Sequence, residues 1–175
     1  MAEHAGSPLI AKRFFVDFLF ALTGSPSVIT VDSTIAAVPL DRTLVRRASY
    51  HSGRSDGGGS GVYWWVNEGG VWFTSPTNLR LYGYGGESNG ILNNAVFRAE
   101  VIILNSKPKS LQNVVGNGAA MQTISPVDPN KAQIYDAMFQ MKMAYTDLYP
   151  TFTSGTQISW SASLTANDRY QVVEF

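Results

Sequence analysis

Few residues in this chain could carry acid–base or nucleophilic chemistry. It has two histidines: His4 near the start, and His51 beside a glycine-rich stretch that contains Asp56. A histidine paired with an aspartate can act as a general base, but a solvated loop histidine is the more common case. No serine lies in a Gly-x-Ser-x-Gly elbow followed by a usable aspartate and histidine. The sequence therefore predicts that the chain is not an enzyme.

Metal and cofactor motifs are also missing from the sequence. The chain has no cysteine, which excludes disulfides, thiolate zinc sites and cysteine nucleophiles. The stretch 53–61 lacks the spaced oxygen ligands of a calcium loop, and Asp128, Asn130 and Asp136 are typical turn residues. Neither 53–61 nor 83–86 continues into the Gly-Lys-Ser or Gly-Lys-Thr of a phosphate loop. We expect no metal and no cofactor, and glycine-rich loops that either order against a partner or remain hairpin tips.

An aromatic cluster is the feature of the sequence most suited to binding. Within 62–67 successive side chains alternate between strand faces, so Tyr63 and Trp65 share one face and Trp64 lies on the other. One face should fill the core, and the other should contact a protein partner. Alternatively, coplanar exposed rings rimmed by polar groups such as Arg80 would form a sugar-stacking platform. The candidate contact residues for protein or glycan are Tyr63, Trp64, Trp65, Trp72, Tyr82 and Tyr84.

Composition limits the partners that the chain can have. Lysine plus arginine and aspartate plus glutamate each number 13, so the formal net charge is zero. This balance argues against nucleic acid and acidic membranes as partners. Charged residues make up only 15%, which is typical of a surface covered by other subunits. The apolar stretch 12–22 is too short to span a bilayer, and we expect it to be a strand in the core or in a subunit contact.

Strand patterns dominate the sequence and predict an all-β protein. Residues 78–84 alternate, and the glycines of 68–70 predict a hairpin turn between strands at 62–67 and 71–74. The best helix candidate is 129–144, where an alternating pattern competes. Further strands are predicted at 12–22, 28–31, 43–50, 97–104, 157–164 and 169–175.

An internal duplication organises these strands. Four landmarks recur in the same order: a glycine- or serine-containing approach, a Thr-Ile segment that ends on a cation, an alternating strand, and a valine-rich or aliphatic strand. They lie at 23–26, 34–42, 79–84 and 99–104 in one copy, and at 115–118, 123–131, 158–162 and 170–175 in the other. The distance between equivalent residues of the two copies falls from 89 at the Thr-Ile segments to 71 at the last strands, so the first copy carries 18 extra residues, many of them in its glycine-rich stretch.

The duplication permits two architectures. Each copy can form its own small antiparallel β-sandwich, or each can supply one sheet to a single sandwich. Each copy has about five predicted strands, enough for an independent unit. We therefore favour tandem sandwiches, with a first unit at 1–105, which holds the apolar N-terminal strand and the glycine-rich loop, and a second unit at 106–175. The boundary is placed at 105–109, where Pro108 and two lysines interrupt the apolar pattern.

The second copy resembles a known class of protein. Its Thr-Ile-x-x-Val-Asp-x-x-Lys segment at 123–131, its alternating strand and its terminal Tyr-Gln-Val-Val-Glu-Phe at 170–175 are similar to small structural proteins of tailed bacteriophages. The first copy departs from this pattern at 38–41. The resemblance implies a virion component of the head decoration, neck or tail, assembled in the host cytoplasm from copies of itself and other virion proteins. The alternative is a carbohydrate- or receptor-binding module of a phage appendage, with a host-surface glycan as its partner.

Overall fold

The fold is almost entirely β-structure. The computed structural model describes residues 9–23, 27–51, 65–86, 91–136, 138 and 150–175. In this part of the chain the only helical element is a short 3-10 turn at Leu40–Arg42. The strands are β1 (Ile10–Thr23), β2 (Ser27–Thr34), β3 (Thr43–His51), β4 (Trp65–Ser75), β5 (Asn78–Gly86), β6 (Ile91–Leu104), β7 (Ser110–Val115), β8 (Met121–Thr123), β9 (Ala132–Asp136), β10 (Pro150–Ser154), β11 (Gln157–Trp160) and β12 (Arg169–Glu174).

The strands form four antiparallel sheets of three strands each. Sheet A has the order β1-β6-β3 and sheet B the order β2-β5-β4; sheet C has the order β7-β12-β9 and sheet D the order β8-β11-β10. The prediction of an all-β protein is confirmed. Each copy forms two sheets of its own, so a single sandwich with one sheet per copy does not occur.

Sheets A and B face each other across the first hydrophobic core. Alternate residues of β1 and β6, among them Phe18 and Phe97, meet Leu79 and Leu81 of β5 there, because side chains two apart lie on the same face of a strand. Each of these four side chains is fully buried, a change worth roughly 1.5–3 kcal/mol per side chain of this size. The predicted alternation of 78–84 is therefore confirmed.

Sheets C and D enclose a second core of the same kind. Ile158 and Trp160 of β11 pack there against Tyr170 and Val172 of β12. The Trp160 and Tyr170 rings meet edge to face, with centroids 5.0 Å apart, an orientation that aromatic quadrupoles favour.

The two sandwiches have the same strand order, which supports the predicted duplication. In each, the first four strands alternate between the sheets, after which the fifth returns beside the second and the sixth beside the first. This is the order of a jelly roll reduced to six strands. Register agrees as well, since Thr34 pairs with Asn78 and Thr123 pairs with Gln157 at equivalent places.

Loop hydrogen bonds repeat between the copies too. The amides of Ile35 and Val38 donate to the β4–β5 turn at 2.9 and 2.9 Å, and those of Ile124 and Val127 donate to the β10–β11 turn at 3.0 and 2.8 Å. These four residues are the equivalent Ile and Val positions of the two Thr-Ile segments. The two segments are similar in sequence because each donates hydrogen bonds to the equivalent turn of its own copy.

One local prediction was wrong. Residues 68–70 lie inside β4 and make no hairpin, since β4 keeps pairing with β5 on both sides of a bulge between Val66 and Glu68. Gly69 has φ of 130°, and a Cβ there would lie 2.2 Å from a carbonyl oxygen of β5, so the glycine serves the bulge rather than a turn. In 129–144, where a helical and an alternating pattern compete, the structure has strand β9, with Ala132 and Ile134 packed against the second core. Residues 139–144 lie outside the described residues.

The sandwiches pack against each other through the outer faces of sheets A and C. Leu44, Ile102 and Leu104 of sheet A meet Val173 of sheet C in a third, smaller core. Ile102 and Val173 occupy equivalent positions of the two copies, 71 residues apart. Among the described residues, none belongs to a helix long and apolar enough to cross a membrane.

Candidate interaction surfaces

The structure places three of the six candidate aromatic residues on one sheet face. Trp72, Tyr82 and Tyr84 lie half-buried on β4 and β5, and their neighbours in sequence face the core of the first sandwich. This face is therefore the outer face of sheet B. Tyr63 and Trp64 lie outside the described residues, and of Trp65 only the backbone, at the start of β4, is described.

The Trp72 and Tyr82 rings on this face are not coplanar. Trp72 and Tyr82 have centroids 6.3 Å apart, and their planes are inclined by 40°. A pyranose ring stacks best on one flat aromatic surface, and these two rings cannot both lie parallel to a single sugar. Val28 of β2 pairs with Tyr84 and is 62% exposed, so the outer face of sheet B also carries aliphatic surface beside its tyrosines.

Trp72 also contacts the second sandwich. The Arg169 guanidinium at the start of β12 lies 4.2 Å from the centroid of the Trp72 ring, within range of a cation–π interaction. Arg169 therefore occupies a face of this ring. Within the described part of the chain, its buried Nε has no hydrogen-bond partner.

A cleft lies between the sandwiches beside this contact. It encloses about 160 Å³, and residues of both sandwiches line it, including Trp72, Arg169, Tyr135, Asn113 and Gln171. This volume is enough for a few water molecules but small for a drug-sized ligand.

Gln171 joins the two sandwiches through a buried side-chain amide. Its Oε1 accepts a hydrogen bond from the Val45 amide at 2.8 Å, and its Nε2 donates to the Thr43 carbonyl oxygen at 3.3 Å. Nε2 also donates to Asn113 Oδ1 at 3.0 Å. Val45 and Thr43 lie on β3, an edge strand of sheet A. The amide of Gln171 therefore supplies backbone partners that this edge would otherwise lack.

The neighbouring edge strand β4 is covered in the same way. The Gly69 amide donates to Asp168 Oδ1 at 3.2 Å, and Gly70 forms an isolated antiparallel bridge with Met138. The β3/β4 side of the first sandwich is thus closed by the second sandwich.

The opposite, β1/β2 side of the first sandwich carries exposed apolar side chains. Phe15 and Leu19 of β1 are 56% and 63% exposed and point away from the core that Val16 and Phe18 enter. Val28 of the neighbouring edge strand β2 is also exposed, on the outer face of sheet B and therefore on the opposite face of the sandwich. The predicted strand at 12–22 is confirmed, with one face in the core and an exposed, partly apolar other face.

Two matched ion pairs border this side. Asp17 of β1 accepts two hydrogen bonds from Arg98, each 2.6 Å, and Asp32 of β2 accepts two from Arg80, each 2.8 Å. These hydrogen bonds lower the pKa of both aspartates below their ordinary value. Arg98 also lies 5.8 Å from the centroid of the Phe15 ring. The charges of these four residues are therefore neutralised in place.

Two deeply buried carboxylates are paired with cations. Glu100 lies between Arg13 and Arg46. Glu174 accepts a hydrogen bond from Lys109 at 2.6 Å, which lowers its pKa. The lowered pKa of Glu174 keeps this carboxylate ionised, which suits a fixed ion pair between strands better than proton transfer.

Among the other residues that the sequence offers for acid–base chemistry or metal binding are Asp136, His51 and Asp56. Burial raises the pKa of Asp136, and Arg47 opposes that rise. Among the described residues, no group of three His, Asp or Glu side chains is placed to hold a metal ion. Asp56 lies outside the described residues, as does the side chain of His51.

Comparison with protein-family models, curated proteins and solved structures finds no match for this chain. The surfaces must therefore be interpreted from their own residues. Sequence reasoning missed Gln171, Arg169 and Asp168, which join the sandwiches. Their partners are 126, 97 and 99 residues away, so no local pattern could have identified them.

Proposed function

We propose that the chain is a structural protein of a tailed-bacteriophage virion, acting in the head decoration, neck or tail by self-association and by contact with other virion proteins. The resemblance of 123–131 and 170–175 to such proteins supports this assignment. The zero net charge of the chain and its low content of charged residues support it as well.

The observation that carries the proposal is the asymmetry of the first sandwich. Its β3/β4 side is closed by the second sandwich through Gln171 and Asp168. At its β1/β2 edge, Phe15 and Leu19 are exposed on the outer face of sheet A, and Val28 is exposed on the outer face of sheet B. Apolar side chains on an exposed edge strand favour contact with another chain. Phe15 and Leu19 supply such side chains on β1, on the edge of the sandwich that the second sandwich leaves open.

The alternative function is a carbohydrate- or receptor-binding module. Tyr82 and Tyr84 favour it, since half-buried tyrosines combine an apolar ring with a polar hydroxyl. The inclined Trp72 and Tyr82 rings, and the Arg169 guanidinium on Trp72, favour it less. Jelly-roll sandwiches occur in both viral capsid and lectin domains, so the fold does not choose between the two functions.

Mass spectrometry of purified virus particles from the source of the sequence tests the first proposal. We expect peptides of this chain in the particles, and cryo-electron microscopy should show its two sandwiches at defined, repeated positions. Sedimentation of the isolated chain should give species larger than the 19.1 kDa monomer. Absence from the particles, together with a monodisperse monomer at high concentration, would refute the proposal.

A glycan array tests the alternative. The wild-type chain is compared with Trp64→Ala, Trp65→Ala and Trp72→Ala. Binding of one glycan class that any of these variants abolishes, while the variant keeps its thermal unfolding temperature, would establish the module. Absence of glycan binding by the wild-type chain would refute it.

A further inference from the structure

Strand β1 is the longest edge strand of the described sheets. β1 runs over 14 residues and pairs with β6 on one side. It is the outer strand of sheet A, and no other described strand pairs with its second edge. An open edge of this length is a template for a strand of another chain.

The ladder of β1 is regular over its central part. Its pairing with β6 continues without a shift from Lys12 to Phe20, and bulges interrupt it before and after. Within this segment Phe15, Asp17 and Leu19 lie on the outer face at two-residue spacing. The alternating residues Val16 and Phe18 are fixed in the core, which prevents β1 from shifting its register or turning over.

We propose that β1 pairs antiparallel with β1 of a second copy of this chain, about a two-fold axis at Asp17, so that two copies of sheet A form one six-stranded sheet. This inference rests on the self-association in the proposed function and names its surface. A two-fold contact uses the same patch on both copies. In this register, Phe15 lies opposite Leu19 of the partner subunit, and Leu19 opposite the partner's Phe15.

The side chains favour this register over its neighbours. The pairing covers both large exposed residues of the segment, which are 56% and 63% exposed in the single chain. An axis at Phe15 would instead place Leu19 opposite Ala11, next to the bulge between Ile10 and Lys12. An axis at Val16 or Phe18 would place an apolar side chain opposite Asp17. Only the axis at Asp17 pairs apolar with apolar twice within the regular ladder.

Charge does not oppose the pairing. Like charges directly across a sheet are destabilising, and Asp17 meets its own copy on the axis. However, each Asp17 is held by its own Arg98 in a two-bond ion pair, so the two aspartates meet as neutral pairs. The contact also extends a face that already packs, since the outer face of sheet A meets the second sandwich through Ile102 and Leu44.

The absence of cysteine makes a disulfide test specific, because an introduced thiol has no competitor. Directly opposed residues of antiparallel strands have Cα atoms about 4.5–5.5 Å apart, within the roughly 4.4–6.8 Å that a disulfide requires. We expect Asp17→Cys, oxidised at a concentration where the wild type associates, to run mainly as a covalent dimer on a non-reducing gel.

Asp32→Cys is the matched control. Asp32 lies on edge strand β2 in the same kind of ion pair, and the Asp17 and Asp32 side chains are 47% and 44% exposed. It should remain mainly monomeric. Equal cross-linking of the two variants, or cross-linking of Phe15→Cys in place of Asp17→Cys, would overturn the proposed pairing.

A second variant tests the apolar contact without oxidation. Leu19→Asp alters an exposed position, so the fold should persist, and the dissociation constant measured by sedimentation should rise at least about tenfold. An unchanged constant in a folded variant would overturn the contact. If the chain occurs in virus particles but Asp17→Cys does not cross-link, this pairing fails and the proposed function stands. If Asp17→Cys cross-links but the chain is absent from particles, the pairing stands and the proposed function fails.

Discussion

The side-chain amide of Gln171 offers a sharp test of how the sandwiches are joined. We consider Gln171→Met, which keeps the length of the side chain but removes its hydrogen-bonding groups. Gln171 is 5% exposed, and the substitution leaves the Val45 amide and the Thr43 carbonyl oxygen without their partner. A buried polar group left unpaired costs roughly 1–3 kcal/mol.

The adjoining cleft moderates this cost. Its volume of about 160 Å³ can admit water that hydrates the two freed backbone groups. Each freed group should therefore cost an amount near the lower end of the range of about 1–3 kcal/mol. For the two groups together we expect the free energy of unfolding to fall by about 2–3 kcal/mol. Urea denaturation followed by tryptophan fluorescence measures this loss. Hydrogen exchange should show the Val45 amide exchanging faster than in the wild type.

A matched control and a pH series complete the test. Gln157 is exposed on β11, and Gln157→Met should change stability by less than about 0.5 kcal/mol. Gln171→Glu should be destabilised at neutral pH, because a buried carboxylate cannot donate to Thr43. When protonated it resembles the amide, and burial raises its pKa, so its deficit relative to wild type should shrink as the pH falls toward about 4. A Gln171→Met variant as stable as Gln157→Met would refute the reasoning.

Three further outcomes are expected. Arg169→Ala removes the cation over Trp72 and should destabilise the contact between the sandwiches by about 1 kcal/mol; an unchanged urea midpoint would contradict the stacking. Burial raises the pKa of Tyr170 to about 12, which favours the neutral phenol in the folded state. The neutral Tyr170 phenol therefore contributes its full stabilisation of the folded state below the ordinary tyrosine pKa of about 10. This stabilisation is lost as the pH rises toward 12. Thermal melts at increasing pH should show this loss, and Tyr170→Phe should lessen it. Gly69→Ala would place a Cβ 2.2 Å from a backbone oxygen and should cost more than about 3 kcal/mol. Gly118→Ala has open space at φ of 87° and should cost about 1 kcal/mol; equal losses in the two variants would argue against the clash.

Strand positions and the duplication were accessible from the sequence because they depend on short-range patterns. The alternation of 78–84 identified its buried face, and the Thr-Ile segments at 34–42 and 123–131 matched because both clamp a turn. The hairpin predicted at 68–70 failed because a glycine pair fits a bulge as well as a turn. The pairing of β4 with β5 on both sides of these glycines decides for the bulge, and the residues of 68–70 do not encode that pairing.

The order of residues was enough to specify an all-β chain of two unequal copies, with a strand at 12–22 that buries one face. Burial of alternate side chains has a period of two, and that period is visible along the chain. Which sandwich edge is covered and which is open depends instead on the packing of the two folded units. Gln171 reaches β3, and Asp168 reaches β4, across about 100 residues or more of chain. The spacing of residues along one strand cannot predict such contacts, because they form between surfaces that exist only after each sandwich has folded. The same packing leaves Phe15 and Leu19 exposed on β1, where we place the contact with a second copy.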